Sequence, residues 1–364
     1  MSAPGVDGAD PPASSPWQRM ARIGVPSPGS LLNSGAALLA SVAVIALLFL
    51  ALGADPFTAF NAIYTGAFGN DFIFGQTVMI TALLTLTGLA AAIPFSASLW
   101  NVGGEGQLYF GAFASTAVAL TVSPSLSPWL LASLCLLAGG LGGALWGFIP
   151  GILRALWDVN EVIVSLMLTF IAILISDYAI TVLWPQGASR GTEDIPVAAQ
   201  LPTIWSGTPV TAGVLVAVVA VIVAWVVMAR TRLGFEIRAS GLSPGAAKMN
   251  GVRVPRAMAS SFALGGLFGG LAGAVAILGI NHSLISGFSS NYGFLGVAVA
   301  LVARLKPLWM IPSALIFATF QVGSSGLQVQ TGISPTIGQS IGAIFIILLL
   351  GFHVIRMRYT EQAG

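Results

Sequence analysis

The sequence predicts an all-α, polytopic membrane protein of about ten transmembrane helices, and three observations carry that prediction. Charged residues make up 7% of the chain and apolar residues 56%, with a mean hydropathy of +0.92; a soluble domain carries about 25% charge. The apolar residues fall in runs of the length a bilayer needs, about 20 residues each. Once those runs are counted as spans, thirteen of the fourteen Lys and Arg lie on one side, the asymmetry expected of cytoplasmic segments.

Residues 1–30 are polar and rich in Pro, Ser and Gly, and read as a disordered cytoplasmic tail. The first apolar run, 31–53, outlasts a signal peptide and is expected to stay as a span. Further spans are expected near 76–98, 107–122, 128–153, 161–184, 209–230, 257–280, 291–304, 308–326 and 336–353. With the N-terminus inside, Arg19, Arg22, Arg154, Arg304, Lys306, Arg356 and Arg358 are cytoplasmic. So are Arg230, Arg232, Arg238, Lys248, Arg253 and Arg256, in or beside one central loop; Arg190 alone falls outside. Segment 56–74 is expected along the outer surface, 185–208 as a small external cap, and 356–364 as a cytoplasmic tail. The single cysteine, Cys135, excludes internal disulfides and offers no metal cluster.

The third and eighth spans are short, and each opens on the same pattern. Asn101-Val-Gly103-Gly-Glu105-Gly106 precedes one and Asn291-Tyr-Gly293-Phe-Leu-Gly296 the other. Short, glycine-broken segments at matching places in two halves point to an inverted repeat around a transport path. On that reading Asn101, Gly103, Glu105, Gly106, Asn291, Gly293 and Gly296 border the path, with backbone groups lining it at the glycines. Glu105 either complements a helix N-terminus or stands beside the substrate; the residues leave both open. No βαβ unit accompanies the glycines, so neither pattern is a dinucleotide site. Gly139, Gly143, Gly147 and Gly151 recur at i+4, as do Gly265, Gly269 and Gly273, which predicts close helix packing inside the bundle.

The central stretch 231–256 is the one long polar interruption, and it holds a marked short helix. Ser243 suits the N-cap, Pro244 suits N1, and Gly251 suits the left-handed position after the last turn. A helix this short leans on a partner. The chain has two lysines, Lys248 and Lys306, and neither follows a glycine, so it holds no phosphate loop. His282 and His353 lie far apart, and no nucleophile–base set or paired carboxylate suggests an enzyme. An ion-coupled secondary carrier with inverted repeats is the alternative, but it would want more acids inside its spans.

These residues resemble a family. LWNVGGEGQLYFGAFAS at 99–115, NEVIVSLMLTFIA at 160–172 and NYGFLGVAVALVARLKPLWMIPSALIFA at 291–318 are similar to the permease subunits of ATP-binding cassette (ABC) importers of the ribose and branched-chain amino acid class. The branch most resembled is that of sugar and nucleoside permeases working with basic-membrane-lipoprotein-type binding proteins. Gly104 departs from it, where many relatives carry alanine. The resemblance spans roughly 31–355 and implies a multi-pass permease in a bacterial inner membrane. It implies a second permease, cytoplasmic ABC ATPase subunits that use the ATP, an external substrate-binding lipoprotein, and no bound cofactor or nucleic acid. In the central loop Gly234, Arg238, Ala239, Gly241, Ala246, Ala247 and Gly251 match the segment that docks on the ATPase. Ser243 to Gly251 is then the coupling helix, with Ala246 and Ala247 small enough for a tight groove.

Overall fold

The computed structural model describes residues 28–122, 126–186, 190–345 and 348. The expected tails lie outside these residues, except that 28–30 open the first helix. The helices are α1 (Pro28–Ala51), α2 (Pro56–Phe68), α3 (Asp71–Ser96), α4 (Gly104–Thr121), α5 (Pro128–Trp157), α6 (Glu161–Tyr178), α7 (Gly213–Arg230), α8 (Arg232–Leu242), α9 (Pro244–Met249), α10 (Val254–Ala276), α11 (Tyr292–Val302) and α12 (Met310–Thr331). A further helical stretch occupies 335–345. All ten expected spans fall on helix, the tenth partly outside the described residues.

Among the described residues, six helices, α3, α5, α6, α7, α10 and α12, are long and apolar enough to cross a bilayer. Of the two segments that looked short in sequence, the second is short in structure, while the first is as long as α7. α4 has 18 residues and α11 only 11, so at 1.5 Å per residue α11 covers about 16 Å of a hydrocarbon core about 30 Å thick. It is a half-helix. α2 is another: it turns 107° away from α1, with Asp55 capping it through the Thr58 N–H at 2.7 Å. α2 is docked along α12, because Gly66 sits against the backbone of Gly323 and Gly326.

α3 and α10 form the buried centre. They pack on each other, α3 also on α11 and α12, and α10 also on α4 and α5. Each central helix thus holds the short helix of the other half, the exchange of partners that an inverted repeat produces. Glycine makes the approach possible. Gly139, Gly143 and Gly147 meet the α10 backbone at Gly270 and Gly266. Gly265, Gly269 and Gly273 do not face that ladder; they admit Ala90 and Pro94 of α3 and Gln107 and Leu108 of α4. α10 is therefore glycine-faced on two sides and is wrapped by three helices. Where lipid removes the hydrophobic incentive, such close contact supplies the packing energy.

At one end of the bundle, residues 190–212 form the expected cap. Thr192, Ile195 and Leu201 donate backbone N–H groups to Leu284, His282 and Leu278 at 2.8–2.9 Å. α8 and α9 lie at the opposite end.

Candidate functional site

The two glycine motifs meet through Glu105 and Gly293, 188 residues apart. The Glu105 carboxylate accepts a 2.6 Å hydrogen bond from the Gly293 N–H in the first turn of α11. Glu105 is only 2% exposed. Helix N-termini carry unpaired N–H groups and a partial positive charge, and Glu105 answers both for a helix in the other half. Gly293 has to be glycine here, because a Cβ would collide with the backbone of Gly104 and Glu105.

Asn101 is fully buried and braces the turn into α4. Its amide donates to the Ala90 carbonyl at 3.0 Å and to Gln107 Oε1 at 3.1 Å. Its oxygen accepts from the Gly103 N–H at 3.1 Å and from Gln107 Nε2 at 3.2 Å. Glu161, at the start of α6, holds the same turn: it accepts from the Trp100 N–H at 3.2 Å and pairs with Arg154 at 3.4 Å. Asn160 does the capping of α6, accepting from Val162 and Ile163.

The remaining motif glycines are filled. Gly103 and Gly106 seat α4 on α6 at Ser165 and Thr169, and Gly296 seats α11 on Thr87 of α3. Asn291 is exposed, in the left-handed region at φ 61°, and makes no cap. The motif glycines Gly103, Gly106, Gly293 and Gly296 thus stand where helix backbones meet.

At the other end of α3, the polar stretch is two helices where the sequence marked one. Thr231 caps α8 through the Gly234 N–H at 3.2 Å. Gly234 lies against Val227 and Met228, and Gly241 against Ser96 and Ala97, so both are taken up by the chain's own backbone. Ser98 donates to the Gly241 carbonyl at 2.8 Å. Arg238 is half-buried on the same helix.

α9 is built as its sequence reads. Ser243 accepts from the Ala246 N–H at 3.3 Å, Pro244 stands in the first turn, and Gly251 takes φ +79°. The two alanines part company. Ala247 is 5% exposed, turned into the permease, while Ala246 is on the open side. The sequence did not single out Leu242 and Met249, which flank α9 at 89% and 91% exposure. Lys248, Arg253 and Arg256 are exposed beside them.

Residues 73–355 match the sequence profile of the family described as branched-chain amino acid transport system / permease component. The chain belongs to this family. Among similar proteins, the glucose ABC transporter permease TsgB13 of Haloferax volcanii is 36% identical over 86% of this chain and 85% of its own length. The guanosine ABC transporter permease NupP of Bacillus subtilis is 30% identical over 88% and 93%. The nucleoside ABC transporter permease NupB of Lactococcus lactis is 31% identical over 84% and 86%. The protein is thus a multi-pass membrane permease of an ABC importer, a class that works with ATPase and binding-protein partners.

Proposed function

We propose that this permease carries a nucleoside or simple sugar into the cell through a path shared with a second permease subunit, and that α9 couples it to a cytoplasmic ATPase. The observation that carries the reading is the outer face of α9. Ala246 and Met249 are one turn apart on a capped helix, with Leu242 beside them and a basic rim around them. That is a compact apolar knob ready for a groove. The N-terminus is on the same, cytoplasmic side, and a substrate-binding lipoprotein delivers at the other. ATP binding by the partner favours one of two packings of the permease, by making different contacts with each. α8 passes the motion on: it is tied at Gly234 to α7 and at Gly241 to the end of α3.

The relatives named for nucleosides and glucose support the substrate class, and this chain binds no cofactor of its own. The carrier alternative loses support at its acids. Glu105 accepts from a helix end, Glu161 pairs with Arg154 and Asp177 accepts from Ser286, so the three acids are spread over separate structural contacts and form no chain.

The test is co-purification of the ATPase with permease variants, alongside ATP hydrolysis in liposomes. Met249→Glu and Ala246→Trp should each lose the partner and the substrate-stimulated hydrolysis while the permease keeps its folded yield. Ala247→Glu should instead damage the permease itself. Cysteine at 193 should label from outside with an impermeant reagent and cysteine at 248 should not; the reverse pattern would overturn the orientation. Retention of the ATPase by Met249→Glu and Ala246→Trp together would sink the coupling role.

A further inference from the structure

The outward faces of the helices are not alike. α6 and α7 expose Met167, Phe170, Leu174, Val219 and Ile222, a surface suited to lipid tails. α12 reads QVGSSGLQVQ over 321–330, and its Ser325, Gln328 and Gln330 are exposed. Gln76 at the start of α3 is exposed beside them. Hydrogen-bonding side chains left open within a bilayer are costly, and they face either a protein interface or a water-filled cavity.

Here they surround a concavity of about 440 Å³ between α2, α3 and α12, a size that holds a small solute. Its floor is the crossing of Gly66 and Gly326, and its polar lining is Thr65, Asn70, Gln76, Ser325 and Gln330. Among the described residues that line it, none is charged. Thr65 donates to the Asn61 carbonyl at 2.8 Å and accepts from Gln330 Nε2 at 2.9 Å, which leaves Gln330 Oε1 uncommitted. Gln76 and Ser325 have no hydrogen-bond partner among the described residues. The concavity lies at the Asp71 end of α3, whose other end touches Gly241. The 26 residues between put it about 39 Å from the α8–α9 end.

We infer that this concavity is a subsite of the transport path for an uncharged, hydroxyl-rich solute, on the side where the binding protein delivers; the inference rests on the import reading above. Side-chain amides offer a donor and an acceptor a few ångströms apart, which suits adjacent ring hydroxyls. The ammonium and carboxylate of an amino acid would need ionic partners once removed from water, and the lining supplies none. The subsite therefore selects a sugar ring or the ribose of a nucleoside over an amino acid, although the family is described by amino acid transport.

The complete transporter in proteoliposomes provides the test, with labelled guanosine, glucose and leucine as probes. Gln76→Leu should raise the KM for guanosine or glucose at least fivefold while the ATPase stays bound; a KM within twofold of wild type overturns the subsite and leaves the import reading intact. Wild-type uptake of leucine and of neither neutral solute overturns the solute class. A second readout does not depend on transport. Ser325→Cys should react with an impermeant methanethiosulfonate from outside, and guanosine or glucose should slow the reaction. An unreactive cysteine means that lipid or protein covers the face, and overturns the proposal. Should the wild type fail to bind an ATPase, the import reading falls by itself, and the subsite with it.

Discussion

The two N-x-G-x-x-G motifs share a pattern and do different work. In the first, Asn101 is buried, uses both ends of its amide and ties its own turn to Gln107 and Ala90. In the second, Asn291 stands exposed in a left-handed conformation and caps nothing. The N–H groups that it leaves are taken by Ser289, which accepts from Tyr292 at 3.3 Å, and by Glu105, which accepts from Gly293 at 2.6 Å. The asparagine of the first motif holds its own turn, and the second motif is completed by the first. A repeat in sequence therefore does not mean a repeat in bonding. The acid present in only one copy converts two similar helix entries into one joint.

The widest gap between the motifs should open at the glycine of the joint. Gly293→Val puts a branched side chain into the backbone of Gly104 and Glu105. Overpacking costs about 1–3 kcal/mol even where neighbours yield, and here backbone has to move. We expect loss of most folded protein, read as monodisperse yield in detergent; normal yield would show that the helix entries do not meet. Next comes Asn101→Ala, which strands the Gly103 N–H and its partners in a buried site. An unsatisfied buried group costs about 1–3 kcal/mol, so a clear fall in thermal midpoint should follow, while Asn291→Ala should lower it far less. Equal losses at both asparagines would erase the asymmetry.

Glu105→Gln keeps an acceptor and removes the charge. A charge at a helix N-terminus is worth about 0.3–1 kcal/mol, rising to about 2 in partly buried settings, so a smaller drop is expected than for Asn101→Ala. If its midpoint is unchanged but uptake falls, Glu105 serves the transported solute and not the joint. The smallest effect is a gain. Asn291→Gly relieves a left-handed residue and should leave the midpoint level or raise it slightly, since Asn already tolerates that conformation and Gly adopts it freely. A marked loss would reveal a bond that Asn291 makes in another conformation.

Helix positions were legible because hydrophobic length and Lys/Arg placement are one-dimensional properties. The cap of α9 was legible for a similar reason: Ser243, Pro244 and Gly251 act within a single turn of chain. What could not be read was direction around a helix axis after packing. Ala246 and Ala247 look alike in sequence, and only the fold turns Ala247 inward. The same holds for Gly265, Gly269 and Gly273, whose spacing matches the α5 ladder although they meet α3 and α4. The α2–α3–α12 concavity was missed because its polar residues come from segments more than 240 positions apart. One signal was available: QVGSSGLQVQ at 321–330 makes the end of an expected span, and the residues just past it, polar.

The bond between Glu105 and Gly293 also has a meaning for how the protein is made. Ribosomes add about 5–20 residues each second, so the 188 residues between donor and acceptor take roughly 10–40 s to synthesise. For that interval α4 has left the ribosome with a carboxylate whose intended partner does not yet exist. The first half of the chain must then stay beside the insertion machinery, or beside water, until α11 arrives. Ribosome-bound chains halted near residue 280 should accordingly be the ones most readily recognised and degraded by membrane quality control, and chains halted after α11 should be spared.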